Sequence, residues 1–537
     1  MKRKTTERDR VLEAAWIFLA LIVLGLVIAI RIRLLDIPLE RDEGEYAYAG
    51  QLILQGIPPY KLAYNMKFPG TYAAYALIMA IFGQTIVGIH LGLLLINAAT
   101  ILLIFLLGRR LIDSMAGIAA AVAYAVLSSS QSVLGLAGHI ENFVMLPALG
   151  ATLLLLNEFG GRRLQRLFVS GFLFGISLLM KQPAVFFILF GALYLFSNDF
   201  RRKRGWKEIV LRNLIFDLGA VVPFGIACLF LWRAGVFDRF WFWTINYARQ
   251  YGSMIAPSAA PKIFIEALAE VIDSGWLLWA FAGFGLVAGL WKERTRAETL
   301  FLLALFVFSF LALSAGFIFR EHYFILILPV VSLFAGVALK TLCNLAEKRG
   351  SLFRCMPLLL FCVMSCQPIL AERKLNFETS PIEASHILYG GNPFPESVRV
   401  AEYLHDHTDA DDTIAILGSE PEVYFYSKRH SATGYIYTYG LMEPQSYARQ
   451  MQEEMISQIE SARPKYMISI GVRSSWLQQP TSEHLIFAWA DDYVAKFYDV
   501  VGLVNILSRD HTDYYFDQLP EPMPELGNYI FICRRKS

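Results

Sequence analysis

The chain has 537 residues, of which 56% are hydrophobic and 14% aromatic, and its mean hydropathy is +0.46. This composition excludes an ordinary soluble enzyme and indicates a polytopic membrane protein, because several apolar runs approach the roughly 20 residues that cross a bilayer. Residues 371–537 hold 14 Lys and Arg against 24 Asp and Glu, whereas the rest of the chain holds 34 against 22. The sequence therefore predicts a basic membrane body and an acidic tail domain. It contains no basic block interleaved with aromatic residues, so nothing indicates that the protein binds nucleic acid.

The body, residues 1–370, is predicted to be mainly α-helical with about eleven membrane spans. The first is an uncleaved span, because no small-residue cleavage site follows it. The spans run near residues 13–30, 88–107, 114–130, 139–157, 167–180, 183–197, 211–232, 271–291, 298–318, 322–342 and 355–370. Residues 73–86 are a weaker apolar run, and all later sidedness assignments invert if this run spans the membrane.

Clusters of Lys and Arg occupy alternate connections between the predicted spans. They are Lys2–Lys4, Arg109–Arg110, Arg162–Arg166, Arg201–Arg204, Lys292–Arg296 and Lys348–Arg354. The positive-inside rule makes these connections cytoplasmic, together with the N-terminus. The protein is thus predicted to lie in the plasma (inner) membrane. Because the number of spans is odd, the tail domain is predicted to lie outside the cytoplasm.

The tail domain, residues 371–537, is predicted to be a soluble α/β domain. Its short apolar runs indicate strands at Thr413–Leu417, Tyr466–Ile470, Tyr498–Ile506 and Tyr529–Cys533, and helical patterning covers Ser397–Leu404 and Gln445–Ser461. Ser419 and Glu422 have capping-box spacing after the first strand, so we interpret Ser419, Glu420 and Glu422 as helix caps in preference to site residues. Cys533 is the one cysteine of this domain, which offers no disulfide or zinc pattern.

An external loop is predicted at residues 31–87, directly behind the first span. Its segment Arg41–Tyr75 offers three acids at its start, Asp42, Glu43 and Glu45, and later two cations, Lys61 and Lys67. A carboxylate can take a proton from a hydroxyl, and a lysine can hold a phosphate as a point charge. The alternative is that these charges only solvate a loop between two helices.

Further polar residues fall at predicted external ends of spans. Ionisable residues near membrane depth are costly to place there, and so they are functional candidates. Each has a structural alternative: an interfacial Glu141, a hydrogen-bonded His139, a turn at Lys181, or an ion pair near Arg320. The full set is His139, Glu141, Lys181, Asn246, Arg249, Arg320, His322 and Tyr323. Acids and cations at one membrane face fit group transfer from a lipid-linked phosphate donor.

At these residues the chain resembles the membrane glycosyltransferases of the C-type fold (GT-C), especially bacterial relatives of protein O-mannosyltransferases and of the lipid A aminoarabinose transferase. The segment Asp42–Ala47, DEGEYA, is similar to the D-E-x-x-Y-A pattern of that family, and Asn65–Pro69 is similar to its E-K-P segment. His139–Phe143 stands where the family has a second external acid. The resemblance covers residues 10–345 and leaves the tail domain uncovered.

The resemblance implies transfer of a sugar from a polyprenyl-phosphate donor to a hydroxyl acceptor among membrane lipids, polysaccharides or proteins. Asp42 would be the base, with Glu43 and Glu141 as further catalytic acids. The donor phosphate would contact Lys67, Arg249, Arg320, His322 and Tyr323, and other substrate contacts would come from Tyr46, His139, Lys181 and Asn246. Met66 and Asn246 replace residues that hold a metal in some members, so no metal cofactor is expected, although a divalent metal stays an alternative. A transporter or flippase of a lipid-linked or acidic solute is the alternative function.

Overall fold

The computed structural model describes residues 7–156, 163–349 and 355–536. Three of the predicted cytoplasmic clusters lie wholly or partly outside these ranges, namely Lys2–Lys4, Arg162 and the part of Lys348–Arg354 beyond Arg349. Twenty-three α-helices and six strands occur in the described ranges. Helix predominates before residue 372, and all the described strands follow it.

The helices of the predicted body follow the apolar runs of the sequence. They are α1 (Glu7–Arg33), α2 (Arg41–Leu54), α3 (Pro69–Phe82), α4 (Ile86–Leu111), α5 (Ser114–Leu127), α6 (Ile140–Leu156), α7 (Arg163–Met180), α8 (Val185–Arg201), α9 (Trp206–Arg233), α10 (Phe237–Trp241), α11 (Ala248–Tyr251), α12 (Ala260–Asp273), α13 (Trp276–Trp291), α14 (Glu293–Leu313), α15 (Leu328–Arg349) and α16 (Met356–Ala371).

Seven described helices are long and apolar enough to cross a membrane, and a bent pair, α12 and α13, would bring the number to eight. Four shorter apolar helices, α3, α5, α6 and α16, join them. The mainly helical membrane fold is thus confirmed, with a helix at each predicted span. The number of eleven spans stays a prediction.

The predicted span 271–291 is wrong at its start. Residues Ala260–Asp273 form a separate helix, and α13 begins at Trp276 after a bend of 109°. The break falls at Ser274–Gly275, where a side chain on Gly275 would press on Leu127. The predicted span 322–342 also starts differently, because Glu321–Leu326 is a 3₁₀ turn. Helix α15 follows it with Pro329 in its first turn, where proline is tolerated.

Small residues allow close packing around α15. Of its apolar window, 72% is buried, the largest share among the seven candidate spans of the described residues. A Cβ atom on Gly336 would lie 2.5 Å from the carbonyl oxygen of Ala116 in α5. A Cβ atom on Gly285 in α13 would collide with the carbonyl of Phe334. Glycine at both positions therefore lets three helix backbones approach closely, as membrane helices commonly do.

The chain divides into two compact units, and the candidate residues are distributed between them. The first unit comprises residues up to Leu35, Leu91–Ala227 and Ile255–Glu378. The second comprises Asp36–His90, Cys228–Met254 and the chain from Thr379 onward. The predicted loop thus belongs to the same unit as the tail domain, and the boundary at residue 370 stays a prediction.

The tail domain contains a six-stranded mixed sheet, which confirms the predicted α/β class. Its strands are β1 (Thr413–Leu417), β2 (His430–Ser431), β3 (Tyr466–Gly471), β4 (Tyr498–Ser508), β5 (His511–Phe516) and β6 (Asn528–Arg535). Their order is β2-β1-β3-β6-β4-β5, with β1 parallel to β2 and β3 and the other pairs antiparallel. Four of these strands lie at the predicted positions. The other two, β2 and β5, were not predicted, because β2 is only two residues long and β5 is only half-buried.

Seven helices accompany this sheet. They are α17 (Pro381–Tyr389), α18 (Phe394–His407), α19 (Pro421–Ser427), α20 (Tyr439–Met442), α21 (Ala448–Ala462), α22 (Arg473–Trp476) and α23 (Leu485–Phe497). The two predicted helices correspond to α18 and α21. Buried residues of α21 and β3, including Met455 and Met467, share an apolar core with Tyr64, Trp243 and Tyr247. The tail domain therefore completes its core with side chains from the two earlier segments of its own unit.

Candidate active site

The segment beginning at Arg41 is a helix, and so is the segment from Pro69 onward, so the prediction of a loop over Arg41–Tyr75 is wrong for its first and last parts. Glu40 is the N-cap of α2, and its side chain accepts a 2.9 Å hydrogen bond from the backbone nitrogen of Glu43. Asp42 and Glu43 occupy the first turn, where the helix dipole stabilises negative charge. The N-terminus of a helix, not a loop, therefore orients both acids.

Lys67 lies between two carboxylates of α2. Its Nζ atom is 2.8 Å from Oδ1 of Asp42 and 2.8 Å from Oε2 of Glu45. Residues three apart on a helix share a face, so the Asp42–Glu45 spacing presents both acids to one lysine. The ring of Tyr46 lies 4.6 Å from the same Nζ atom. This arrangement joins the two predicted residues Asp42 and Lys67 and places Tyr46 beside them.

Glu45 is held more completely than Asp42. Asn65 donates to its Oε2 atom at 2.7 Å, and Tyr72 donates to its Oε1 atom at 2.6 Å. The Glu45 side chain is 1% exposed, whereas Asp42 and Lys67 are 15% and 14% exposed. Glu45 therefore holds the lysine from the buried side of the cluster, and Asp42 and Lys67 form its accessible end.

Glu43 points to a different partner from Asp42. Its Oε1 atom lies 3.1 Å from Nε2 of His90, and both side chains are at least 95% buried. A residue one position along a helix is turned by about 100° from its neighbour, which explains the separation. The predicted catalytic acid Glu43 is thus a buried member of a carboxylate–imidazole pair.

The negative charges of the two neighbouring carboxylates keep the Lys67 side chain protonated. Burial lowers the pKa of the Lys67 ammonium, but Asp42 and Glu45 raise it by more, so the pKa lies above its usual value. The ammonium lies between the two carboxylates. Two of its three N–H donors are used by Asp42 and Glu45 among the described residues, and a third suits a phosphate oxygen.

The turn Gly418–Glu422 is a strand-to-helix turn, as predicted, but its side chains do not cap α19. The hydroxyl of Ser419 bonds to Thr438, and Glu422 accepts a 2.7 Å hydrogen bond from Ser397. Glu420 forms a buried ion pair with Arg41 at 3.0 Å. The capping interpretation is therefore wrong, because this turn binds the first residue of α2 instead of its own helix.

A second cluster of predicted residues lies in the first unit. Glu141 is in the first turn of α6, as expected, and is 1% exposed. It forms an ion pair with Lys181, whose Nζ atom lies 3.4 Å from the ring centroid of Tyr323. A buried carboxylate needs such a partner, and the aromatic face adds a cation–π interaction.

Two histidines continue this second cluster. The rings of His139 and His322 are stacked with centroids 4.0 Å apart and an interplanar angle of 10°. His322 also meets the ring of Tyr323 edge-on at 4.8 Å. The cluster is therefore a continuous chain of five predicted residues, ending with Glu141 and Lys181.

Arg31 fixes the connection that leads to His139. It donates to the carbonyl oxygens of Ser128 at 2.8 Å and Gly135 at 3.0 Å. A Cβ atom on Gly135 would collide with the Ser128 carbonyl, so this close approach requires glycine. The turn therefore enters α6 from a rigid position.

Three further predicted residues lie on other segments of the chain. Asn246 and Arg249 are exposed on the segment that ends in α11, whose buried side chains Trp243 and Tyr247 belong to the core of the tail domain. Arg320 is half-buried, and its backbone carbonyl accepts a hydrogen bond from Tyr323 at the 3₁₀ turn. Among the described interactions, neither Asn246 nor Arg249 has a side-chain contact with Lys67.

The predicted site residues do not include Glu45, Asn65 or Tyr72, although Glu45 is one of the three acids of the predicted loop. The helical spacing of Glu45 from Asp42 is the signal that would have identified it once the segment was recognised as a helix. No comparable pattern marks Asn65 or Tyr72, which reach Glu45 only through the fold of the chain.

These helices, with an acid–lysine pair behind the first span and an α/β tail, have the C-type fold of membrane glycosyltransferases. Residues 67–226 match the family model for dolichyl-phosphate-mannose-protein mannosyltransferase. The chain is 26% identical over 291 residues to the undecaprenyl phosphate-alpha-4-amino-4-deoxy-L-arabinose arabinosyl transferase of Pseudomonas aeruginosa, covering 51% of each chain. It thus spans about half the length of this curated relative.

Two solved structures share the fold. ArnT from Cupriavidus metallidurans, bound to undecaprenyl phosphate, superposes with a TM-score of 0.62 at 13% identity, covering 97% of this chain and 98% of that one. The archaeal oligosaccharyltransferase AglB from Archaeoglobus fulgidus, with an inhibitory peptide and a dolichol-phosphate, gives a TM-score of 0.51 at 13% identity. The coverage there is 95% of this chain and 75% of AglB. The likeness to ArnT extends through the tail domain.

Proposed function

We propose that this protein is a membrane glycosyltransferase that moves a sugar from a polyprenyl-phosphate donor to a hydroxyl acceptor. The observation that carries the proposal is the Asp42–Lys67 pair, 2.8 Å apart and partly exposed at the N-terminus of α2. A base and a phosphate-binding cation are the two groups that this transfer needs. The donor class agrees with the names of the matched family and of its arabinosyl relative.

In the proposed reaction the acceptor oxygen attacks the anomeric carbon while the bond from that carbon to the phosphate oxygen breaks. The acceptor proton passes to Asp42, and the phosphate departs with the bonding electron pair. Lys67 offers its remaining N–H donor to that phosphate. A single displacement of this kind inverts the configuration at the anomeric carbon.

The buried residues have supporting roles in this proposal. Glu45 holds Lys67 in place, and Glu43 with His90 fixes the other side of α2. Glu141, Lys181 and Tyr323, together with His139 and His322, form a second substrate-contacting group in the first unit. Arg249 and Arg320 stay proposed contacts of the donor phosphate, and Asn246 stays a proposed further substrate contact.

The reaction as proposed needs no metal, because Lys67 supplies the positive charge next to Asp42. Membranes washed with a chelator should keep their transfer activity. Loss of activity on chelation and its return with a divalent cation would establish a metal requirement and overturn this part of the proposal.

We place the tail domain and the end of α2 outside the cytoplasm, and the N-terminus inside. The cationic connections Arg109–Arg110 and Arg201–Arg204 support this orientation through the positive-inside rule. An alkaline phosphatase fused after the tail domain should be active, since that enzyme folds only outside the cytoplasm. An inactive fusion with an intact chain would reverse the orientation.

The central test is transfer of labelled sugar from a polyprenyl-phosphate donor in membranes. Asp42→Asn should remove at least 99% of the activity, on the order of the 10²–10⁴-fold contribution of a general base. Asp412→Asn is the matched control, because Asp412 forms a 2.7 Å ion pair with Lys465 on the tail surface. Ordinary activity in Asp42→Asn would overturn the assigned base.

Lys67→Ala tests the second role separately. It should raise the donor KM and lower kcat, since the cation is proposed to contact the phosphate in both the ground state and the transition state. Lys465→Ala removes a lysine–aspartate pair of similar length and should be silent. Unchanged donor kinetics in Lys67→Ala would contradict the phosphate contact.

A further inference from the structure

A tyrosine of the tail domain reaches the proposed base. The hydroxyl of Tyr437 donates to Oδ1 of Asp42 at 2.9 Å, across 395 positions of sequence. The same Oδ1 atom accepts the 2.8 Å hydrogen bond from Lys67. The Tyr437 ring lies 5.5 Å from the Lys67 ammonium. One tail-domain side chain therefore contacts both members of the accessible acid–lysine pair.

The segment that carries Tyr437 is fixed on both sides. Tyr439 packs edge-on against Tyr437 at 4.8 Å, accepts a hydrogen bond from Arg41 at 2.7 Å, and donates to the Ser474 carbonyl at 2.7 Å. Thr438, between the two tyrosines, is fully buried and donates to the Ser475 carbonyl at 3.1 Å. Such supporting contacts hold a side chain in one geometry.

We infer that Tyr437 is a positioning residue of the transfer site, supplied by the tail domain to orient Asp42. This inference rests on the proposed function. Two donors on one carboxylate oxygen fix the rotation of the group and stabilise its charged form. The tail domain, which the sequence motifs leave without a role, is then part of the active site.

A purely structural tyrosine would give different kinetics from a positioning one. If the hydroxyl only satisfied its own hydrogen-bonding needs, its removal would change the unfolding temperature and leave the chemistry unaltered. If it orients Asp42, its removal changes the pH dependence of transfer. Replacing Tyr437 with Phe isolates this effect, because the ring beside Lys67 is retained and only the hydroxyl is lost.

The test compares Tyr437→Phe with Tyr403→Phe in full-length protein. Tyr403 is the matched control, because its hydroxyl also donates to an aspartate at 2.7 Å, and this aspartate is Asp517, which is not a member of the acid–lysine pair. Tyr437→Phe should lower kcat about tenfold with an unchanged donor KM, since one charge-assisted hydrogen bond in the site is lost. The acid limb of its pH–rate profile should move up by about one pH unit. Tyr403→Phe should match the parent protein in each measurement.

A third variant separates the hydroxyl from the ring. Tyr437→Leu should also raise the donor KM, because the aromatic surface that restricts Lys67 is removed. Unfolding temperatures of Tyr437→Phe, Asp42→Asn and the double variant test the contact itself. The double variant should lose less than the sum of the single losses, as contacting residues do, and additive losses would overturn the contact.

The outcomes distinguish this inference from the proposed function. A parental kcat and pH profile in Tyr437→Phe, together with an inactive Asp42→Asn, would overturn the positioning role and leave the function standing. An active Asp42→Asn would overturn both the assigned base and the positioning role, whereas absence of transfer by the parent protein would overturn the proposed function. A shifted acid limb with an unchanged donor KM supports both.

Discussion

Substitution of Gly44 by alanine should separate α2 from the turn that packs on it. A Cβ atom at this position would lie 2.6 Å from the Cβ and backbone nitrogen atoms of Glu422, whereas ordinary contact begins near 3.4 Å. The two segments must therefore move apart by about 0.8 Å, because backbone atoms cannot rotate away as a flexible side chain can. Gly44 lies between Asp42 and Glu45, so this movement carries both carboxylates with it.

The two terms of the stability change have opposite signs. Overpacking of this kind costs about 1–3 kcal/mol, and replacing a helical glycine with alanine returns about 1 kcal/mol. The net loss of stability should be about 0–2 kcal/mol. The loss of activity should be larger in proportion, about 10- to 100-fold in kcat, because displacement of a catalytic group by about 1 Å can cost two orders of magnitude.

The assay is sugar transfer in membranes, normalised to folded protein and paired with thermal unfolding in detergent. Gly25→Ala is the matched control, because a Cβ atom on this helical glycine of α1 would have no atom within 4 Å. It should keep parental activity and stability. A Gly44→Ala protein with parental kcat and unfolding temperature would refute the claim that the fit between α2 and the Glu422 turn positions Asp42.

Three further substitutions test other parts of the structure. Burial, with Glu420 nearby, raises the pKa of Glu422 from 4.5 to about 8, so the free energy of unfolding should fall by at most about 5 kcal/mol as the pH rises through that window. Glu422→Gln should abolish this pH dependence in unfolding temperatures measured from pH 4 to 9. The same pH dependence in the parent protein and in Glu422→Gln would contradict the assignment to Glu422. Lys181→Met leaves Glu141 buried without its partner and should lower stability by about 3–5 kcal/mol in thermal unfolding, with recovery on adding Glu141→Gln; no recovery would argue against the pair. Gly135→Ala should lower the unfolding temperature, because its Cβ collides with the Ser128 carbonyl, and a parental value would show that this turn can relax.

The apolar helices were predictable because length and composition alone mark a membrane helix. Helix α2 was not, because Gly44 and Gly50 lower its intrinsic helix propensity and its polar side chains show no apolar stripe. It forms because tertiary packing stabilises it: every residue from Glu43 to Leu52 is buried. Asp42 in its first turn and Lys67 beyond its end could still be identified, since the chemistry of these side chains is visible without the helix.

The contacts of the tail domain could not be predicted for a different reason. Arg41 meets Glu420 across 379 positions and Tyr437 meets Asp42 across 395, and no local pattern encodes either pair. Ser419, Glu420 and Glu422 do have a local pattern, that of a capping box, and it led to the wrong role. The side chains of a capping box bond to the backbone nitrogens of their own helix only when no stronger partner is near. Here the stronger partners are Arg41 for Glu420, Ser397 for Glu422 and Thr438 for Ser419.

The balance of charge around Lys67 explains why one cation can serve both halves of the proposed reaction. Before transfer, Asp42 and Glu45 together outweigh the ammonium, and Asp42 is attracted to it at 2.8 Å. When the acceptor proton neutralises Asp42, that attraction falls at the moment negative charge grows on the departing phosphate oxygen. Lys67 then interacts more strongly with the leaving group than with the former base, while Glu45 keeps it in place. The lysine therefore favours the transition state over the bound donor, which is the condition for a gain in rate.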